Sequence, residues 1–183
     1  IIAAEFGFRG FIAAVKKVAL SENFLFGSQT AWGRTIHNAD ANQTGWSSLC
    51  ESFKGSSIEE LILCDVGMGV NAVLLLADAI WFMAALNSVT VDSTGDMSNQ
   101  KTYTLTASEE KIDLSSKNLG PADVALLTAW MQRPEVSATV ASLNLGGASF
   151  GVVYNINNDM LINMFSASCR NVAAISMNRD YPT

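Results

Sequence analysis

The sequence predicts an α/β fold built from short, repeating strand–turn–helix units. Strand-like cores of the form apolar-x-x-apolar-x-apolar recur at Ile58-Leu61-Leu63, Leu86-Val89-Val91, Val140-Leu143-Leu145 and Val172-Ile175-Met177. Glu109-Ile112-Leu114 matches at its last two apolar positions. The middle residues Leu61, Val89, Ile112, Leu143 and Ile175 lie 23 to 32 residues apart. Periods of this size point to a solenoid, in which each unit buries its apolar edge against its neighbours. The stretches between the cores carry helical spacing, as in Val73-Leu76-Ala77-Ile80 and Val124-Leu127-Met131.

Along the chain, residues 10–20 space Phe11, Ala14, Val15 and Val18 as one face of a helix, with Lys16 and Lys17 opposite. Phe24 and Phe26 alternate like a strand, and residues 33–45 read as a loop by composition. Residues 44–54 predict a helix with Trp46, Leu49, Cys50 and Phe53 on one face and Thr44 as its cap. Alternate residues of a strand point to opposite faces, so Leu61 and Leu63 face a core and Ile62 the other side. Residues 92–111 lack helical period, but Thr102–Thr106 alternates and is β-prone, so a loop with an extra strand is expected there. In the next helix Pro121 suits the first turn, where its missing N–H costs nothing, and Asp123 meets the positive helix end. Arg133-Pro134 closes that helix, because a residue before proline avoids helical backbone. A final helix is expected from about Asp159 to Ser168.

The text IEELILCDVGMG, followed by a helical run and LNSVTV, and EKIDLSSKNLGPADVALLTAWMQ, followed by VASLNLGG, resembles the leucine-rich repeat family, closest to its ribonuclease-inhibitor-like long repeats. The resemblance covers roughly residues 45–180. It implies a short, irregular horseshoe with parallel strands on the concave side and helices on the convex side. Residues 1–183 are then one divergent repeat domain. Residues 1–43 form a degenerate unit and loop, and residues 44–183 four to five repeats. The family commonly places Asn five residues after the second apolar strand position. This chain has Val66, Thr94, Lys117, Ala148 and Asp180 there, so its turns must satisfy their backbone groups by other means.

Composition narrows the function. Hydrophobic residues make up 49% and charged residues 15%, and mean hydropathy is +0.24. Soluble domains are typically about 25% charged, so apolar surface is expected to be buried in the chain or in something else. Seventeen acidic residues against 11 basic give a net charge of −6. No basic footprint for phosphates is present, so nucleic acid is not an expected partner. Cys50, Cys64 and Cys169 are odd in number and widely spaced, so they read as small core residues rather than a disulfide framework. Ile1 stands where an initiator methionine would, and the sequence is expected to be a processed product or part of a longer chain. The first segment lacks the layout of a signal peptide. An intracellular or organellar setting is therefore expected ahead of a secreted one.

Residues 66–86 are long enough to span a bilayer, which needs about 20 mostly apolar residues. Asp78 near the middle, and Gly67, Gly69 and Asn71 at one end, argue against a span.

Little chemistry is visible. His37 is the sole histidine, and no nucleophile elbow accompanies it. No Cys/His spacing suits a metal, and Asp92, Asp96 and Glu109-Glu110 do not form a calcium loop. Gly67-Met68-Gly69 precedes a helix, where phosphate can bind, but a third glycine and a Walker lysine are missing. No catalytic residue, cofactor or metal is expected.

What remains is surface. The outer side of residues 72–86 should be polar, yet it offers Leu74, Leu75, Trp81, Phe82 and Met83 beside the single charge of Asp78. Trp130 adds bulk to the later helix. These six apolar residues are the candidate partner-binding set, since contiguous exposed apolar surface marks interaction sites. The expected function is a non-catalytic scaffold or docking subunit whose partners are other protein subunits, including those of a membrane-bound complex. The alternatives are a recognition module that binds a peptide or regulatory protein on its concave face through Glu59, Glu60, Glu110 and Asp113, and a small membrane-associated subunit. A further alternative is an enzyme on an unrelated α/β fold, with His37 or an acidic pair in a deep pocket.

Overall fold

A computed structural model describes residues 15–27, 29–31, 35–146 and 174–176. Alternation does what the pattern predicts at the strand cores. Ile58, Leu61 and Leu63 are buried, as are Leu86, Val89 and Val91, then Ile112 and Leu114, then Val140, Leu143 and Leu145. The strands that carry them are β4 (Glu60–Leu63), β5 (Ser88–Asp92), β7 (Lys111–Asp113) and β8 (Ser142–Asn144). The chain also forms β1 (Lys17–Ala19), β2 (Gln29–Ala31), β3 (Thr35–His37), β6 (Thr102–Thr106) and β9 (Ala174–Ser176). Helices are α1 (Thr44–Phe53), α2 (Val70–Ile80), α3 (Pro121–Met131) and the short α4 (Pro134–Ser137).

The expected leucine-rich repeat solenoid does not form. The strands fall into three separate sheets among the described residues: a mixed sheet ordered β1-β4-β5-β6, an antiparallel pair β2-β3, and a parallel sheet β7-β8-β9. The break has a local cause. Thr102–Thr106 sets Tyr103 and Leu105 inward and three threonines outward, the alternation of a half-buried strand. It folds back antiparallel on β5, with Val89 opposite Leu105 and Val91 opposite Tyr103. The edge of β5 that a following parallel strand would need is thereby filled. A horseshoe needs one unbroken parallel ladder, and this chain is instead a small α/β molecule with a mixed sheet.

Other expectations shift near the start. Residues 17–19 are a strand rather than helix, paired parallel to β4 with Val18 against Leu61. Val18 enters the core, while Lys16 and Lys17 reach Glu59 and Glu60 at 2.7 and 2.9 Å. Phe24 and Phe26 lie in irregular chain, not a strand: Phe26 is in a turn, buried edge-on to Trp46 at 5.3 Å, and Phe24 is exposed. The stretch 33–45 is not all loop, because β3 lies within it. The helix expected near Asp159–Ser168, and Val172 and Met177, lie outside the described residues.

The helices follow their apolar stripes. Trp46, Leu49, Cys50 and Phe53 of α1 are buried, and Trp46 Nε1 donates to the Ala72 carbonyl of α2 at 2.9 Å. Thr44 is inside this helix rather than its cap; Gln43 takes that position without a side-chain bond. Val73, Leu76, Ala77 and Ile80 of α2 face the core, as do Val124, Leu127 and Met131 of α3. Pro121 occupies the first turn of α3, and Arg133 is extended before Pro134. Helix α2 packs between α1 and α3. Among the described residues, no helix is long and apolar enough to cross a membrane.

Candidate functional site

Helix α2 starts where Gly67-Met68-Gly69 turns the chain, with Gly67 at φ +78°. Its free N–H groups are not left for a ligand. The Asp40 carboxylate accepts from Gly69 N–H at 2.8 Å, from Asn71 N–H at 2.8 Å and from Ala72 N–H at 3.4 Å. Gly69 must lack a side chain, because a Cβ there would lie 2.6 Å from Asp40 Oδ2. The anion seat of this glycine turn therefore holds the protein's own carboxylate, at the end of the helix that favours negative charge.

The other end of α2 carries the unusual surface. The helix gives way at Trp81 to tight turns, with Phe82 N–H donating to Ala79 O at 3.0 Å and Met83 N–H to Ile80 O at 3.1 Å. Gly55 N–H donates to Phe82 O at 2.9 Å and ties the end of α1 to this turn. The inward half of the helix is spent on the core, yet the outward half stays apolar. Val70 is 44% exposed, Leu74 41%, Trp81 49% and Phe82 54%. The spacing of Val70, Leu74, Asp78 and Trp81 runs along one helical face.

Beside Trp81 and Phe82 lies a groove of about 450 Å³ lined by Lys54, Ala77, Asp78, Trp81, Phe82, Ala129 and Gln132. Its small residues, Ala77 of α2 and Ala129 of α3, are what leave room between the two helices. Lys54 is held by Glu51 at 2.6 Å, and its ammonium sits 5.3 Å from the Phe82 ring centre. The Asp78 side chain is exposed and makes no ion pair among the described residues.

The candidate partner-binding residues therefore divide. Leu74, Trp81 and Phe82 are exposed together, and Leu75 is half-buried against the core. Met83 and Trp130 are fully buried and cannot meet a partner. Trp130 lies under the Arg133 guanidinium at 4.5 Å, and Arg133 Nη2 donates to the Met83 carbonyl at 3.2 Å while pairing with Glu135. Sequence reading missed Val70, Ala77, Ala129, Lys54 and Gln132. Val70 was within reach, since it precedes Leu74 by one turn.

The remaining sequence candidates are not brought together. Glu59 and Glu60 are each matched by a lysine, which neutralises two of the four acidic residues expected on the sheet face. Asp113 accepts from Ser115 N–H at 2.9 Å, and Ser115 holds its carboxyl below the ordinary range. Asp92 receives Asp65 N–H and the Thr102 hydroxyl, both at 2.6 Å, a turn-binding role. His37 is exposed at the end of β3. Burial pushes the Cys50 thiol up to about 12 and raises that of Cys64, so neither is primed as a nucleophile. Among the described residues, no group of three or more His, Cys, Asp or Glu side chains is arranged to hold a metal ion.

No family model matches the sequence. No curated protein and no solved structure is detectably similar to it.

Proposed function

We propose that this chain is a non-catalytic docking subunit of a larger protein assembly, attached through the outward side of α2. The observation that carries the reading is the exposure of Val70, Leu74 and Trp81 along one side of α2, with Trp81 and the neighbouring Phe82 lining a groove. A buried Trp or Phe removes about 150–250 Å² from water, so the half-exposed pair alone offers roughly 200 Å². At about 25 cal/mol per Å² that is roughly 5 kcal/mol of gross driving force. Aromatic anchors of this kind carry much of the energy in protein interfaces.

The concave-face alternative falls with the horseshoe, since the strands do not form one parallel ladder, and Glu59 and Glu60 are already paired with lysines. The enzyme alternative lacks a gathered set of reactive groups among the described residues.

The test is the native mass of the protein purified gently from its source, beside that of a Trp81→Ser/Phe82→Ser variant. The wild type should travel in a large, reproducible complex. The variant should leave that complex yet unfold within about 1 kcal/mol of the wild type, since neither side chain is buried. A wild type that elutes as the free chain would overturn the proposal.

A further inference from the structure

We infer that the element seated on this surface is a single amphipathic helix of a partner protein carrying an arginine or lysine, whose cation meets Asp78 and the Trp81 ring. The inference rests on the docking reading above and adds the chemistry of the partner.

Size argues for one helix. The exposed stripe runs from Val70 to Phe82, roughly 18 Å at 1.5 Å per residue, or about three helical turns. Its exposed apolar area is a few hundred Å², whereas a stable interface between two globular bodies takes about 800 Å² from each. A groove of about 450 Å³ accepts one or two anchoring side chains. A partner helix that lays apolar residues at i, i+3, i+4 and i+7 into such a groove uses this geometry.

Charge argues for a basic helix. Lys54 is the groove's own cation, and it is already matched by Glu51 and laid over Phe82. Glu135, beyond Gln132, is matched by Arg133. Asp78 alone lines the groove without an ion pair among the described residues. It lies one turn from Trp81, so one cation can reach both the carboxylate and the indole. A second copy of this chain fits poorly, because it carries the same net charge of −6 and the same unmatched carboxylate.

Two synthetic helical peptides test this, each about five turns long with the same leucine stripe. One carries arginines beside the stripe and its twin carries glutamates there. Their affinities for the full chain are measured by anisotropy, and the contact is mapped by NMR. The arginine peptide should bind about tenfold tighter, the combined gain of an ion pair and a cation–π contact. The map should centre on Asp78 and Trp81, and Asp78→Lys should reverse the preference. Equal affinities that Asp78→Lys leaves unchanged would overturn the basic-partner inference while leaving docking intact. Failure of both peptides, with the Trp81→Ser/Phe82→Ser variant still lost from the native complex, would overturn the helix as occupant. Self-association that this variant abolishes would put a second copy in the groove and overturn it as well. A wild type found only as the free chain would remove the docking reading, and this inference with it.

Discussion

Asp123→Ala should cost at least about 3 kcal/mol of stability in a denaturant titration, because it strands several buried donors at once. The Asp123 side chain is 1% exposed. Its Oδ2 accepts from Gly120 N–H at 2.7 Å, Thr94 N–H at 2.8 Å and the Thr94 hydroxyl at 2.7 Å, and its Oδ1 from the Tyr103 hydroxyl at 2.9 Å. One carboxylate thus joins the start of α3, the loop after β5, and β6. Asp123→Asn keeps the shape but points an NH₂ at donors, so it too should destabilise. Its penalty should depend on pH in a definite direction. Burial holds the Asp123 carboxyl above its ordinary value, although its four donors pull the other way. A folded pKa above the unfolded one gives stability that is whole below the unfolded pKa and lost as pH rises through the folded one. The Asp123→Asn penalty should therefore be largest at acid pH and shrink as pH rises from about 4. A penalty that grows with pH would show that the donors, not burial, govern this carboxyl.

Trp130→Ala should cost about 3–5 kcal/mol, the usual result of emptying a large buried aromatic site. The ring is fully buried and supports the Arg133 guanidinium at 4.5 Å. Arg133 Nη1 and Trp130 Nε1 have no hydrogen-bond partner among the described residues. That detail makes Trp130→Phe informative, because it keeps an aromatic ring and removes an unpaired N–H. It should cost less than Trp130→Ala, about 1–3 kcal/mol, because the smaller ring leaves part of the site empty. If Trp130→Ala costs under about 1 kcal/mol, the side chain is not part of the core.

This second contrast shows where sequence reading stopped. Trp81 and Trp130 both follow apolar helical runs, and both were candidates for the partner surface. Helix α3 is apolar almost all round, so the inward stripe Val124-Leu127-Met131 does not tell that Trp130 is buried as well. The elements that cover it, α2 and the turn at Met83, come from a distant stretch of the sequence. By contrast, α1 has a clean stripe at Trp46, Leu49, Cys50 and Phe53, and its buried face was legible residue by residue. The strand cores were equally legible, because alternation is local. Their partners were not: spacing records that units recur, but not that Thr102–Thr106 will turn back and fill the edge of β5. The same limit hid Asp40, whose grip on the start of α2 joins residues 29 to 32 positions apart. Of the candidate surface, Leu74, Trp81 and Phe82 could be read, while the alanine floor supplied by two helices could not.

The antiparallel strand β6 also bears on the order of assembly. It is joined to β5 by residues 93–101, whereas β4 reaches its parallel partner β5 only through residues 64–87, which include α2. Closing the shorter loop costs about 1 kcal/mol less chain entropy, and the hairpin needs no helix docked first. Pulsed hydrogen exchange during refolding should therefore protect the amides shared by β5 and β6 ahead of those between β4 and β5. The strand that breaks the repeating ladder would then be the place where the ladder begins.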